Sequence, residues 1–135
     1  MTTNEIMINP MPTINGLRFR KFAGDSDFPI MVSIVEAASK ADGDDFAVTL
    51  ESIKHDYQHL TNSDPFKDMI FAEIDGIPIA YSRVQWWQEE VPNDRIYLHF
   101  VKIIPEWRNQ GIEEAMIGWC ENHLRTIARD HPQDS

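Results

Sequence analysis

An apolar run from Phe100 to Ile104 stops at Pro105, and a short polar turn follows at Arg108-Asn109-Gln110-Gly111. Proline has no N–H to give a sheet ladder, so it ends the strand. Beyond the turn, apolar residues recur at Ile112, Ala115, Met116, Trp119, Cys120, His123, Leu124, Ile127 and Ala128. That spacing is one face of a helix. Val101 to Ile117 therefore reads as strand, tight turn and helix start. The helix runs from about Gly111 to Asp130, and His131-Pro132 ends it.

A helix entered through a turn presents unpaired N–H groups and the positive end of its dipole. Both suit a phosphate or pyrophosphate. Gly111 lets the backbone approach a ligand without a Cβ in the way, and Arg108 can add a charged donor of fork geometry. An ordinary strand-to-helix connection uses the same residues, and spacing alone leaves both readings open.

The rest of the chain alternates strand and helix signals. Residues 1–16 read as a flexible arm. Leu17 to Phe22 alternates as a strand with one wet face. Gly24 to Asp27 is turn and N-cap chemistry, and Pro29 fits a helix's first turn. Ile30, Met31, Ile34, Val35 and Ala38 then form a buried stripe that ends near Ala41-Asp42-Gly43. The acidic loop Asp42, Asp44, Asp45 lacks the ligand spacing of a calcium loop. Thr49 to Leu60 is a second helix, with Leu50, Ile53, Tyr57 and Leu60 on one side. His55 and His59 on its other side have chelating spacing, but no third ligand is evident and a solvated face explains them. Asn62 to Pro65 reads as a loop. Met69–Ile74 and Ile77–Trp87 are strands joined by the hairpin signal Asp75-Gly76. Trp86 and Trp87 put one aromatic on each face, for packing or as the wall of a groove. A polar loop with Pro92 leads to the strand Ile96–Ile104.

Composition narrows the function. The 135 residues suffice for one domain with a core, and 42% hydrophobic content fits a globular chain. A net charge of −10 without a Lys/Arg-rich run argues against nucleic acid and favours cationic substrates such as amines. The single cysteine, Cys120, forms no intrachain disulfide and sits on the apolar helix face, where packing explains it. No apolar run approaches a membrane span, and the N-terminus has no signal-peptide pattern, so a cytoplasmic protein is expected.

Residues Pro105-Glu106-Trp107-Arg108-Asn109-Gln110-Gly111-Ile112 resemble the acetyl-CoA signature of the GNAT acetyltransferase superfamily. There a strand ends in proline and an R/Q-x-x-G-x-G/A turn cradles the pyrophosphate of coenzyme A. Arg108 stands at the leading position and Gly111 at the central glycine. Glu113 stands where the family has Gly or Ala, and a bulky anion beside a pyrophosphate costs space and charge. The element order β-α-α-β-β-β-α over residues 17 to 130 is also similar to the first part of a GNAT domain. The run from Ala80-Tyr81 through Trp86, Arg95-Tyr97 and Pro105–Arg108 to Glu121 and Arg125 resembles acetyltransferases that carry two such domains in one chain.

The resemblance implies an α/β (α+β) fold with a GNAT-like mixed, mostly antiparallel sheet flanked by helices. Residues 17–135 would be a partial domain without the family's C-terminal part. A homodimer, or association with the rest of a longer parent chain, would then cover the open sheet edge. Acetyl-CoA is the implied cofactor. The backbone of Val101 and Ile103 would hold its thioester and pantetheine. The turn and helix N–H groups of Arg108, Asn109, Gln110, Gly111, Ile112 and Glu113 would hold its pyrophosphate. The implied reaction is attack of a neutral amine, small molecule or peptide, on the thioester with a general base. His99 is the nearest titratable group on the strand, and equally a surface or core histidine. No catalytic residue, metal, nucleic acid or membrane is assigned. Two functions follow: an acyl-CoA-dependent N-acetyltransferase, or a non-catalytic GNAT-like domain serving as structural or dimerisation partner. A nucleotide-binding domain using the same helix N-terminus is a third class, since ADP-like ligands share the pyrophosphate.

Overall fold

The computed structural model describes residues 5–6, 8, 12–43, 48–89 and 95–131. Its strands lie side by side in chain order: β1 (Glu5–Ile6), β2 (Leu17–Lys21), β3 (Met69–Ile74), β4 (Ile77–Gln88) and β5 (Arg95–Ile103), each antiparallel to its neighbour. The helices are α1 (Phe28–Asp42), α2 (Leu50–Gln58), α3 (Pro65–Asp68) and α4 (Ile112–Arg129).

Side chains alternate across a strand, so one strand can feed two cores. On β3, Ile70 and Ala72 join Leu17, Phe19, Ile103, Ile112 and Met116 beneath α4. Met69 and Phe71 join Phe28, Met31, Ile34, Val35 and Ile53 beneath α1 and α2. The sheet is thus a middle layer between α4 on one face and α1 with α2 on the other. The β3–β4 hairpin turns through Asp75 (φ 51°) and Gly76 (φ 83°), both left-handed. A two-residue turn between twisted strands needs that hand.

The helices begin and end for local reasons. Gly43 closes α1 in a left-handed conformation. Thr49 and Ser52 cap α2 reciprocally, each side chain accepting from the other's backbone N–H at 3.0 Å. In α4, Ile112, Met116, Cys120 and Leu124 are buried at a spacing of four. Burial also pushes the Cys120 thiol up, which makes it a packing residue rather than a nucleophile. No helix among the described residues is long and apolar enough to cross a membrane.

Four local expectations are corrected. Asp27 does not cap α1; its carboxylate is 2% exposed and bridges Arg20 Nη1 and Nη2 at 3.0 and 2.8 Å while accepting from Ala23 N–H. A two-pronged ion pair outcompetes a single cap bond. The loop at Asn62 to Pro65 runs into α3, because Asp64 caps it and Pro65 fits its first turn. Leu50, placed on the apolar side of α2, is 38% exposed. The N-terminal stretch supplies β1, with Glu5 opposite Arg20 and Ile6 opposite Phe19, and Ile6, Ile8 and Ile14 pack on the core. Residues 1–4, 7 and 9–11 of the expected arm, the acidic loop at Asp44 and Asp45, the loop at Pro92, Pro132 and the tail lie outside the described residues.

Met116 is fully buried where α4 meets the sheet. Met116→Ala is expected to cost about 2–5 kcal/mol. Urea unfolding should show a lower midpoint with an unchanged slope.

Candidate functional site

The site begins with the hydrogen-bond alternation of β5, the last strand of the sheet order. Ile104 donates its N–H to Ile79 O at 2.9 Å. The same register sets Ala80 opposite Ile103, Ser82 opposite Val101 and Val84 opposite His99. Hydrogen-bonded and non-bonded pairs alternate along an antiparallel ladder. Counting from Ile104, the pairs at Ile103, Val101 and His99 are the non-bonded ones. Their N–H and C=O groups therefore point away from β4, to the open edge. The Ile103 side chain is buried with Ile112 and Met116, and Val101 packs on the same cluster. Side chains anchor the strand while its backbone faces out. His99 is half-buried.

Pro105–Trp107 forms a 3-10 turn, and Trp107 packs on the core. Asn109 (φ 64°) and Gly111 (φ 93°) then bend the chain into α4. A Cβ at Gly111 would meet nothing closer than Pro12 at 3.7 Å, so conformation rather than crowding asks for glycine there. Gly111 O accepts the first helical bond, from Ala115 N–H at 3.1 Å. The N–H groups of Ile112, Glu113 and Glu114 in the first turn precede that ladder.

Arg108 and the Asn109 N–H of this turn are held by the chain's own carboxylates. Arg108 Nη1 and Nη2 meet Asp42 Oδ1 and Oδ2 at 2.8 and 3.2 Å, tying the turn to the end of α1. The hydrogen bond from Arg108 holds the Asp42 carboxyl below the usual carboxylate range, and Asp42 raises Arg108. Glu113 Oε1 accepts the Asn109 N–H at 3.1 Å. An acidic group in a helix's first turn is favourable in its own right.

Between α1, the β5 edge and the turn lies a cavity of about 310 Å³. Val35, Ala38, Ser39 and Asp42 line it from α1, Val101, Lys102 and Ile103 from β5, and Arg108 and Glu113 from the turn. Of the residues singled out in sequence, Val101, Ile103, Arg108 and Glu113 meet here. Asn109 and Gln110 are exposed on the turn, where Gln110 Nε2 donates to Glu106 O at 3.1 Å. Ile112 is a fully buried core residue, and Gly111 is the bend. The α1 wall and Lys102 were not anticipated. The signal for the α1 wall was in the α1 stripe, which continues at helical spacing from Val35 and Ala38 to the polar Ser39 and Asp42.

The arrangement offers outward strand amides beside a mainly polar groove, with a helix start and two cations at one end. An extended ligand that ends in an anion fits that order. The Acetyltransferase (GNAT) family model matches residues 33–129. Among solved structures, a GCN5-related N-acetyltransferase from Sphaerobacter thermophilus matches at 17% identity and a TM-score of 0.72, over 90% of this chain and 36% of that one. The protein yncA from Salmonella typhimurium, solved with its cofactor acetyl-CoA, matches at 16% and 0.64, over 84% and 66%. The ribosomal-protein-S18-alanine N-acetyltransferase from Escherichia coli matches at 11% and 0.56, over 83% and 61%. The chain thus spans less than two thirds of each of these proteins. No curated protein sequence matches it.

The Arg108 pair gives a titration with a definite sign. The folded pKa of Asp42 lies below its unfolded value, so the pair's contribution is full above the unfolded value. It is lost as pH falls through the lowered folded one. Arg108→Ala should return Asp42 to the ordinary carboxylate range in a carboxyl-carbon NMR titration. An unmoved midpoint would show that the pair does not form in solution.

Proposed function

This chain belongs to the acetyltransferase (GNAT) family, and from that membership we propose that it binds acetyl-CoA along β5 and serves transfer of the acetyl group to an amine. The observation that carries this reading is the outward backbone of Val101 and Ile103 beside the groove under α1. Strand-edge amides match the amide-bearing pantetheine arm as they would match another strand.

The order of donors along the groove supports this reading. Val101 and Ile103 would hold the pantetheine. Lys102, Arg108 and the first-turn N–H groups of α4 would face the pyrophosphate. When bound, the cofactor supplies an acetyl group activated as a thioester. The chain's own contribution is positional. Val35 and Ala38 keep part of the groove apolar, and the net charge of −10 draws a cationic amine toward the surface. Glu113 must leave the Asn109 N–H for a diphosphate to use it.

The carboxylates of Asp42 and Glu113 on the turn's cation and N–H favour a second reading, a GNAT-like domain that binds no cofactor and acts as a structural or dimerisation partner. Calorimetry with acetyl-CoA, with solution mass measured on the same sample, separates the two. A unit charge 4 Å from the ligand is worth about 4 kcal/mol at an effective dielectric of about 20. Solvent and salt reduce this, so Glu113→Gln is expected to tighten binding about tenfold. Glu113→Gly should act in the same direction. Binding by the unmodified chain, stronger for coenzyme A than for ATP, supports the transferase reading. A folded sample that binds neither, with no gain in either variant, leaves the partner reading, and a dimeric mass would then identify the partner as a second copy.

A further inference from the structure

Arg20 is answered by Asp27 and Glu73, and Arg108 by Asp42. Arg83, half-buried on β4, is answered by neutral oxygens. Its Nε donates to Tyr57 Oη at 3.1 Å, and its Nη1 to Ser63 Oγ and Gln85 Oε1 at 3.0 Å each. The guanidinium carbon lies over the rings of Tyr57 and Phe100, 5.0 and 5.1 Å from their centres. Nη2 has no partner among the described residues. Ser82 Oγ is the buried side-chain polar atom there that lacks a partner, so Nη2 is within reach of solvent.

This cation is held in place without a counter-charge among the described residues, in a chain of net charge −10. Partial burial of an unpaired charge is costly, and an anion arriving at Nη2 would offset that cost. Its neighbours are arranged as though for such a guest. Ser63 spends its own hydrogen on Val84 O at 2.7 Å, which leaves its oxygen for Arg83. Burial pushes the Tyr57 phenol up, so Tyr57 keeps a proton to donate while its oxygen accepts from Arg83. The fork's planar N–H geometry suits a carboxylate.

The position is close to the candidate cofactor site. Arg83 lies directly opposite Phe100, the residue before Val101. Leu98, one pleat further on the same face, is 44% exposed and offers apolar contact. We propose that Arg83 and Tyr57 anchor the carboxylate of the acceptor, so that the substrate class is an amine that also carries a carboxylate. The word acceptor rests on the transferase reading; the anion site does not.

The test uses matched pairs: 4-aminobutanoate with butylamine, 6-aminohexanoate with hexylamine, and 2-aminoethyl phosphate as the alternative anion. The first arm omits acetyl-CoA and follows the Arg83 Nε–H resonance of the unmodified chain. Saturable shifts are expected with the amino carboxylates, at affinities about tenfold to a hundredfold above the matched amines. Arg83→Met should abolish that preference, Arg83→Lys should keep part of it, and Tyr57→Phe should weaken it. The second arm adds acetyl-CoA and reads thiol release, where the preference should appear as a KM ratio that collapses in Arg83→Met. Equal binding of amine and amino carboxylate overturns the proposal, as does a preference that survives Arg83→Met. Tighter binding of the phosphate overturns the carboxylate assignment. Carboxylate binding without acetyl-CoA binding would sink the transferase reading and leave the anchor standing. Transfer with no carboxylate preference would do the reverse.

Discussion

β3 carries four consecutive residues, Met69 to Ala72, with no solvent exposure. Such a strand cannot sit at an edge or face water, so elements must cover both of its faces and flank both of its sides. Met69 and Phe71 require α1 and α2, Ile70 and Ala72 require α4, and the ladders to β2 and β4 follow. Each flanking strand adds to the same two layers. By β5 the alternation assigns Phe100 and Lys102 to one side and Val101 and Ile103 to the other. The position of the groove is a consequence of how β3 is buried.

Much of this was legible in the sequence because it depends on short-range pattern. The hairpin at Asp75-Gly76, the bounds of β3 and β4, and the strand, turn and helix around Pro105 and Gly111 follow from periodicity and backbone chemistry. What escaped was what pairing across the chain decides. Asp27 had the composition of a cap, but Arg20 brings it a stronger partner from β2. β1 is two residues long and forms only because β2 offers an edge. The wall of the groove comes from α1, whose contribution to a ligand site cannot be read until α1 is seen beside β5. Asp42 illustrates the difficulty: its partner Arg108 is 66 residues away.

Two opposite electrostatic solutions coexist in this fold. At the turn, carboxylates from the chain occupy Arg108 and the Asn109 N–H, two of the donors that an anion would use, so a ligand that uses them must displace those carboxylates. At Arg83 no carboxylate among the described residues answers the charge, and neutral oxygens and two rings hold the cation ready. The first arrangement favours the empty domain's stability, and the second leaves interaction energy to be realised on binding. The transferase reading asks both sites to work along the same strand, with the groove and Arg83 both on the face of the sheet that α1 and α2 cover.

The outward groups of Val101 and Ile103 are peptide groups, common to every residue except proline's missing N–H. A surface made of them has no side chain to lose. Replacements along β5 that keep an apolar group toward α4 leave the edge chemically unchanged, whereas one proline, or a slip of one residue in register, would erase it. Sequence drift can therefore pass through this strand freely in composition and hardly at all in phase.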